Sequence, residues 1–430
     1  MPKAEVKVAE AAKLIAGAGG AGLAAAVMAG SISKDVVVLE KTQDVGGNTR
    51  LADAFNAVDP AVQKPLGIED SPELHARQML ETDRWCADPK LVETVATGAP
   101  RALAWLKELG VRFEPGVYQV YGSLWPRTHS PSEPEGSGYI RPLLFKCREL
   151  GVSIRTGTKV LRVIRNGLEG PVLGVEVERM NGRRLFIRAR RGIVVATGGF
   201  GANAELVGRF APRLGHLRST NLPGTTGDLI APLEDIGAAA VGMDFFQLLP
   251  GSAEDGRFIG AASTVERMIF VNRAGERFIA EDSPSSKLSA AVLAQPGGDA
   301  FEANSIPELA SLLQIPAEAL VATVEAYNEA VETGHDPVGR RAVVLMHRIA
   351  RRPFYGAKVT MCVNCTLGGI AITPRAEVLD RHGRVIPRLY AAGEVTGGVH
   401  GANYMGGNAL SDVFTFGRIA GENAVQEPFA

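Results

Sequence analysis

The sequence predicts an α/β fold in which a domain built from βαβ units is interrupted by a smaller α+β cap. Three observations predict it. The stretch KLIAGAGGAGLAAAVMAGSISKDVVVLEK reads as a short strand, a glycine turn, a helix through Met28 and an apolar strand Val36 to Leu39 ending in Glu40. From about Leu249 to Tyr355 that strand–glycine–helix rhythm stops, and two helical patterns replace it. It returns towards the end, where RVIPRLYAAGEVTGG reads as a strand delivering Glu394. The division expected is residues 1–248, 249–355 and 356–430, with the first and last parts forming one domain. A chain of 430 residues with 46% hydrophobic content is long enough for more than one core.

The first βαβ unit carries Gly17-x-Gly19-x-x-Gly22. Gly17 permits the tight turn, Gly19 lets a pyrophosphate approach bare backbone, and Gly22 lets the helix sit close to the strand. The free N–H groups of the helix start face the phosphates. Glu40 stands 18 residues after Gly22, where it can accept from a ribose hydroxyl. One residue fits poorly. Lys13 falls where the first strand should be apolar, so that strand is expected to be short or to start at Leu14.

Bulk properties exclude several functions. The net charge is −1, from 46 basic and 47 acidic side chains, with no dense basic run, so nucleic acid and anionic membranes are not expected partners. The apolar stretch Ala11 to Gly30 contains Lys13 and follows acidic residues, so it reads as neither a signal peptide nor a membrane span. Four cysteines are too few for a disulfide framework, and a reducing cytoplasm is expected. The lone CVNC at 362–365 has no second pair and is read as coincidental, so no metal is expected.

The fingerprint alone fits NAD or FAD. Glu394, brought late in the chain beside the first βαβ unit, favours FAD, because a ribityl chain offers hydroxyls to such an acceptor. The loop GGNTR at 46–50 adds a surface of small residues on which a flat ring can lie.

Taken together, GAGGAG, VVLEK…GGNT, RRGIVVATGGFGAN, TTGD, GGIAIT, LYAAGEVTGGVHGAN and GGNALSDVFTFGRIAGENA resemble the FAD-binding flavoproteins related to soluble fumarate reductases and 3-ketosteroid dehydrogenases. The resemblance runs through nearly the whole chain. It implies a Rossmann-like, glutathione-reductase-like FAD domain interrupted by the cap, with the flavin ring at the domain junction. Residue by residue, it implies that Gly17, Gly19 and Gly22 meet the pyrophosphate and that Glu40, with Lys41 beside it, meets the adenosine ribose. Gly46, Gly47, Asn48 and Thr49 pass near the ring, the Val160 backbone holds adenine, and Thr197, Gly198 and Gly199 lie under the dinucleotide. Asp228 and the pair Gly393-Glu394 stand near the ribityl chain. Asn408, Ala409 and Leu410 start a helix at the pyrimidine end of the ring, where free N–H groups favour the charge of a reduced flavin.

Within the cap, Ser305 is a candidate N-cap with Pro307 close behind. Leu320, Val324, Tyr327 and Val331 share one helix face, so Tyr327 reads as core.

The catalytic pattern departs from fumarate reductases at four positions. Leu249 and Cys365 stand where that family has histidines, and Ser285 and Tyr404 where it has arginines. No cationic clamp for a dicarboxylate remains. Ketosteroid dehydrogenases carry a tyrosine on the loop equivalent to that of Tyr404, whose hydroxyl binds the substrate carbonyl. Tyr121, in GVYQVYGSLWPRTHSPSEPEGSGYI, is the first choice for the base or its helper. Arg127 in the same stretch is either a solvated residue or a carboxylate grip that would make the substrate a keto acid such as an oxo-cyclohexane carboxylate. His129 is a titratable candidate. Three readings follow: a dehydrogenase that introduces a C=C bond next to a ketone, an ene-type reductase acting on a non-fumarate enoate, and a non-catalytic flavin-binding protein. Both catalytic readings take a small-molecule substrate.

Overall fold

The computed structural model describes residues 8–11, 13–252, 265, 268–294 and 300–428. A six-stranded sheet forms its centre, in the order Glu377–Leu379, Val385–Ala391, Ile193–Val195, Lys13–Ala16, Val36–Leu39, Ser153–Arg155. All neighbours are parallel except the first pair. The inner strands are buried on both faces, which is why they read as unbroken apolar runs. A four-stranded sheet follows in the order Val8–Ala11, Arg184–Ala189, Val172–Arg179, Thr158–Arg165.

Lys13 begins the first strand and does not precede it. Its side chain is buried, with Nζ donating to the Ser33 hydroxyl at 2.5 Å and the Lys34 carbonyl at 2.8 Å. Burial and the nearby Arg191 hold its ammonium below the ordinary lysine range. The stem lines the core while the head finds partners at the helix end, an arrangement that hydropathy patterning misses.

The first helix, Gly20–Ile32, lies against the last, Asn408–Gln426. Glycines set their separation. A Cβ at Gly417 would stand 2.7 Å from the Ala21 carbonyl oxygen, and one at Gly421 2.3 Å from that of Ala25. The two backbones therefore touch, one helical turn apart along each helix.

The inserted segment opens and closes on a two-stranded antiparallel ladder of Phe246–Ser252 with Val359–Thr366. Inside it, Ser305 caps the helix Ile306–Leu313 by accepting the Glu308 N–H at 3.2 Å. On the helix Ala317–Thr333, Leu320, Val324 and Tyr327 are buried and Val331 is half-buried. Ala310, Leu320 and Val324 form a cluster separate from the main core.

A buried ion network stiffens this segment. Glu281 pairs with Arg277 at 2.7 Å and Arg340 at 2.5 Å, and Arg277 also pairs with Asp336 at 2.8 Å. Arg277 and Arg340 both lie over the Tyr327 ring. Burial disfavours the Arg277 charge, yet its two carboxylate partners outweigh that and raise its pKa. Glu281→Ala leaves Arg277 on Asp336 but strands the buried Arg340 guanidinium, so chemical denaturation is expected to show a loss of about 3–5 kcal/mol. A loss below about 1 kcal/mol would contradict the network's role.

Candidate active site

The glycine loop has the sterics its motif demands. Gly17 is left-handed at φ 102°, and a Cβ at Gly22 would lie 1.9 Å from the Gly17 carbonyl oxygen. In front of Gly19 the nearest atom to a built Cβ is the Gly46 oxygen at 3.9 Å, so the approach is open. Glu40 accepts the Ala18 N–H at 2.9 Å and the Thr42 N–H and hydroxyl at 2.9 Å, tying the loop to the end of the second strand.

The second loop packs directly on the first. The Gly46 N–H donates to the Ala18 carbonyl at 2.7 Å, and the Gly20 N–H donates to the Thr49 hydroxyl at 3.1 Å. The Asn48 carbonyl accepts the Leu222 N–H at 3.0 Å and the Thr225 hydroxyl at 3.1 Å, while its amide donates to Asn221. Val160 lies on the strand Thr158–Arg165, next to a register shift against Val172–Arg179.

After the strand Ile193–Val195, the Thr197 hydroxyl is buried with no partner among the described residues. Gly198 is left-handed at φ 74° and faces open space. An open glycine cradle and an orphaned hydroxyl fit an extended dinucleotide ligand. Glu394 lies beyond them, accepting the Thr366 N–H at 3.0 Å and hydroxyl at 3.2 Å, with its own carboxyl raised by burial. Gly393 is left-handed at φ 75°.

Asp228 departs from expectation. Its carboxylate pairs with Lys41 at 2.5 Å and Lys159 at 3.0 Å and accepts the Thr226 hydroxyl at 3.1 Å. Burial alone would raise it, but the two lysines outweigh burial and hold it below the usual carboxylate range. Both carboxylate oxygens of Asp228 are thus engaged by lysines of this chain.

The last helix starts after Gly407 at φ 85°. Its first N–H groups are already in use. The Asn408 N–H bonds the Met405 carbonyl at 3.2 Å, and the Ala409 N–H donates to the Tyr404 hydroxyl at 2.7 Å. The expectation that Asn408 to Leu410 present unpaired donors to a flavin is therefore corrected for the first two. Tyr404 itself is buried, edge-on to the His400 ring at 5.1 Å. Burial is the main reason its phenol is raised above the ordinary range, with Cys365 and Asp412 adding to it and the Ala409 N–H opposing it. The helix start pulls the phenol down, but burial outweighs it. The Ala409 N–H holds the oxygen and leaves a neutral O–H to donate.

Of the four departures from the fumarate reductase pattern, Cys365 and Tyr404 lie close enough to interact, and Leu249 and Ser285 lie on elements that meet theirs. Gln247 stands opposite Cys365 and Leu249 opposite Cys362 in the ladder, and the Ser289 hydroxyl bonds the Leu248 carbonyl at 3.3 Å. The helix Ser285–Leu293 meets the Tyr404 loop through the Ser286 N–H, which donates to the Asn403 side chain at 3.0 Å. Burial drives the Cys365 thiol well above its ordinary range, so it stays protonated.

Tyr121 joins this group. It sits in a turn closed by the Ser123 N–H donating to the Val120 carbonyl at 2.9 Å, with Gly122 at φ 74° as a type II turn requires. A Cβ at Gly406 would stand 1.9 Å from the Tyr121 carbonyl oxygen, so this turn is pressed against the Tyr404 loop. The Tyr121 ring meets Phe270 edge-on at 6.4 Å, and its phenol is raised by burial with Ser289 nearby.

Arg127 and His129 do not join it. Arg127 is fully buried, and its fork grips Asp70 at 2.8 and 2.9 Å and Gln78 at 2.7 Å. The expectation of a carboxylate grip is corrected, because the guanidinium is saturated by its own chain. His129 is buried against the Ala57 carbonyl at 3.2 Å, with burial lowering its pKa to about 4. Sequence reading missed Asn56 and His75, which both bond the Asn408 side chain, at 2.9 and 3.0 Å. Asn56 also donates to the Gly406 carbonyl at 2.7 Å, so the two residues hold the helix start. A lone Asn and a lone His carried no spacing signal that could have found them.

Two measurements follow. Gly22→Val forces a side chain into the Gly17 carbonyl and is expected to abolish flavin retention on gel filtration; full flavin content would contradict the loop geometry. His129 is neutral when folded and has an ordinary pKa near 6.5 when unfolded, so the unfolded chain binds the extra proton. Its contribution is present above about pH 6.5 and lost as pH falls towards about 4, by at most about 1.4 kcal/mol per unit. His129→Asn should reduce the slope of stability against pH in that window, leaving the part due to His75, which burial lowers to about 3, and an unchanged slope would contradict the assignment.

Residues 13–410 match the family described as FAD binding domain. A fumarate reductase (cytochrome) of Shewanella frigidimarina is 34% identical over 441 residues, covering 96% of this chain and 76% of that protein. The open conformation of a flavocytochrome c3 fumarate reductase superposes with a TM-score of 0.77 at 32% identity, over 97% of this chain and 78% of that one. A 3-ketosteroid-Δ4-(5α)-dehydrogenase from Rhodococcus jostii RHA1, solved with 4-androstene-3,17-dione, gives 0.75 at 26% identity, over 99% and 98%. Among the described residues no helix is long and apolar enough to cross a membrane. The chain thus belongs to the FAD-binding flavoprotein family, with FAD as its cofactor, and is an oxidoreductase acting on CH–CH and C=C bonds.

Proposed function

We propose that the chain is a dehydrogenase that introduces a C=C bond α,β to the carbonyl of a neutral cyclic ketone. The observation that carries this reading is the neutral Tyr404 hydroxyl, buried and gripped by the Ala409 N–H, at a position where fumarate reductases have an arginine. A dicarboxylate needs paired cations, whereas a ketone needs one oriented donor. Leu249, Ser285 and Cys365 likewise offer no positive charge. With Arg127 saturated by Asp70 and Gln78, nothing remains of the case for a keto acid, and a ketone without a carboxylate is the better fit.

FAD, when bound, supplies the two-electron acceptor for the β-hydride. The chain supplies the rest. Tyr404 donates to the substrate carbonyl, and the N–H behind its oxygen polarises the O–H further as charge grows on the carbonyl. That hydrogen bond acidifies the α C–H. Tyr121, across the turn from Tyr404, relays the α-proton, its oxygen accepting it as its own hydroxyl proton passes to the Ser289 hydroxyl and on to solvent. Because burial raises its phenol, it passes a proton on more readily than it holds a negative charge. The cap side, through Phe270 and Ser289, excludes water from the same spot.

An ene-type reductase acting on a non-fumarate enoate is the second reading, favoured by the 34% identity with a fumarate reductase. Turnover of cyclic ketones with a dye acceptor distinguishes the two. Tyr404→Phe should retain FAD and lower kcat on the ketone by on the order of 10²-fold. Wild-type turnover in that variant would end the proposal.

A further inference from the structure

We infer that Arg341 is a positioning residue, a clasp from the cap that fixes the turn carrying Tyr121. Arg340 and Arg341 are neighbours with opposite duties. Arg340 points inward to Glu281 and the Tyr327 hydroxyl, and is fully buried. Arg341 points across to the FAD-binding domain. Its Nε donates to Asp282 at 2.7 Å and its backbone N–H to the same carboxylate at 3.2 Å, which anchors it on the cap side. Its two remaining nitrogens reach over the junction, one to the Leu124 carbonyl at 3.0 Å and one to the Gln119 side-chain carbonyl at 3.2 Å.

Those two acceptors bracket Tyr121. The Gln119 amide donates to the Ser123 carbonyl at 2.6 Å, closing the loop from inside, and Gln119 is fully buried. Arg341 thus grips both ends of a six-residue turn, 119–124, whose middle is pressed on Gly406. The turn is held from the cap by a side chain and from the Tyr404 loop by backbone contact. Three donors set at fixed angles on one planar group make this link, a geometry a lysine cannot reproduce. The Arg341 side chain is 39% exposed and ion-paired to a buried Asp282, so it can be replaced without opening the core. The consequence is coupling: a seated cap adds its own restraint to a turn otherwise held by its internal bonds and by the Tyr404 loop.

The inference rests on the proposed function only for the role of Tyr121. Hydrogen exchange of the FAD-loaded, substrate-free protein tests it separately. Arg341→Gln and Arg341→Lys should both speed exchange of amides 119–124 at least tenfold, leave FAD content unchanged and increase iodide quenching of the bound flavin. Gln119→Ala, made from the other side of the junction, should speed exchange of the same amides. On an active substrate both Arg341 variants should lower kcat more than they raise KM. Wild-type exchange in Arg341→Lys would show that charge alone suffices, and unchanged exchange in all three variants would overturn the clasp. If exchange rises as expected while kcat stays at the wild-type value, the clasp stands and the assignment of Tyr121 falls.

Discussion

The structure depends on one contact, the backbone-to-backbone packing of the first helix on the last. Gly417 and Gly421 let the last helix lie on the Ala21 and Ala25 carbonyls. The first helix begins at the nucleotide loop and the last begins four residues after Tyr404. Their separation therefore sets the distance from the dinucleotide cradle to the hydroxyl proposed to meet substrate. Even a methyl at either glycine would push the helices apart and move Tyr404 with them.

Around that axis, neutral groups have replaced charges at the reacting end while charges persist where they hold structure. Tyr404, Tyr121 and Cys365 are all kept protonated, chiefly by burial. Arginines stand in buried pairs instead, Arg127 with Asp70 and Arg277 and Arg340 with Glu281. A buried charge with its partner in place is inert towards an incoming anion. It stiffens the scaffold instead, which suits a pocket whose selectivity comes from a single hydrogen-bond donor.

The fold was largely legible because its signals are local. Gly17, Gly19 and Gly22 form a spacing readable within six residues, with Gly22 demanded by the Gly17 carbonyl, and the inner strands show their burial as apolar runs. Ser305 and the buried face of Leu320, Val324 and Tyr327 followed from helix spacing for the same reason. The misread residues have distant partners. Arg127 lies 57 residues from Asp70, and Asp228 lies 187 from Lys41. No pattern in one chain reports which carboxylate an arginine will find across such distances. Lys13 failed differently, because its head escapes to the Lys34 carbonyl while its stem does the work of an apolar residue. At the helix start, the resemblance to known flavoproteins could not foresee that a tyrosine in place of arginine would itself take the Ala409 N–H.

The central claim is that an uncharged hydroxyl, not a cation, selects the reacting molecule. Anaerobic mixing of the oxidised protein with saturated cyclic ketones and, separately, with saturated dicarboxylates tests it most directly. The account predicts that the flavin absorbance near 450 nm bleaches with a ketone and stays constant with a dicarboxylate. Bleaching by the dicarboxylate alone, or rapid reoxidation of the reduced protein by fumarate, would contradict it.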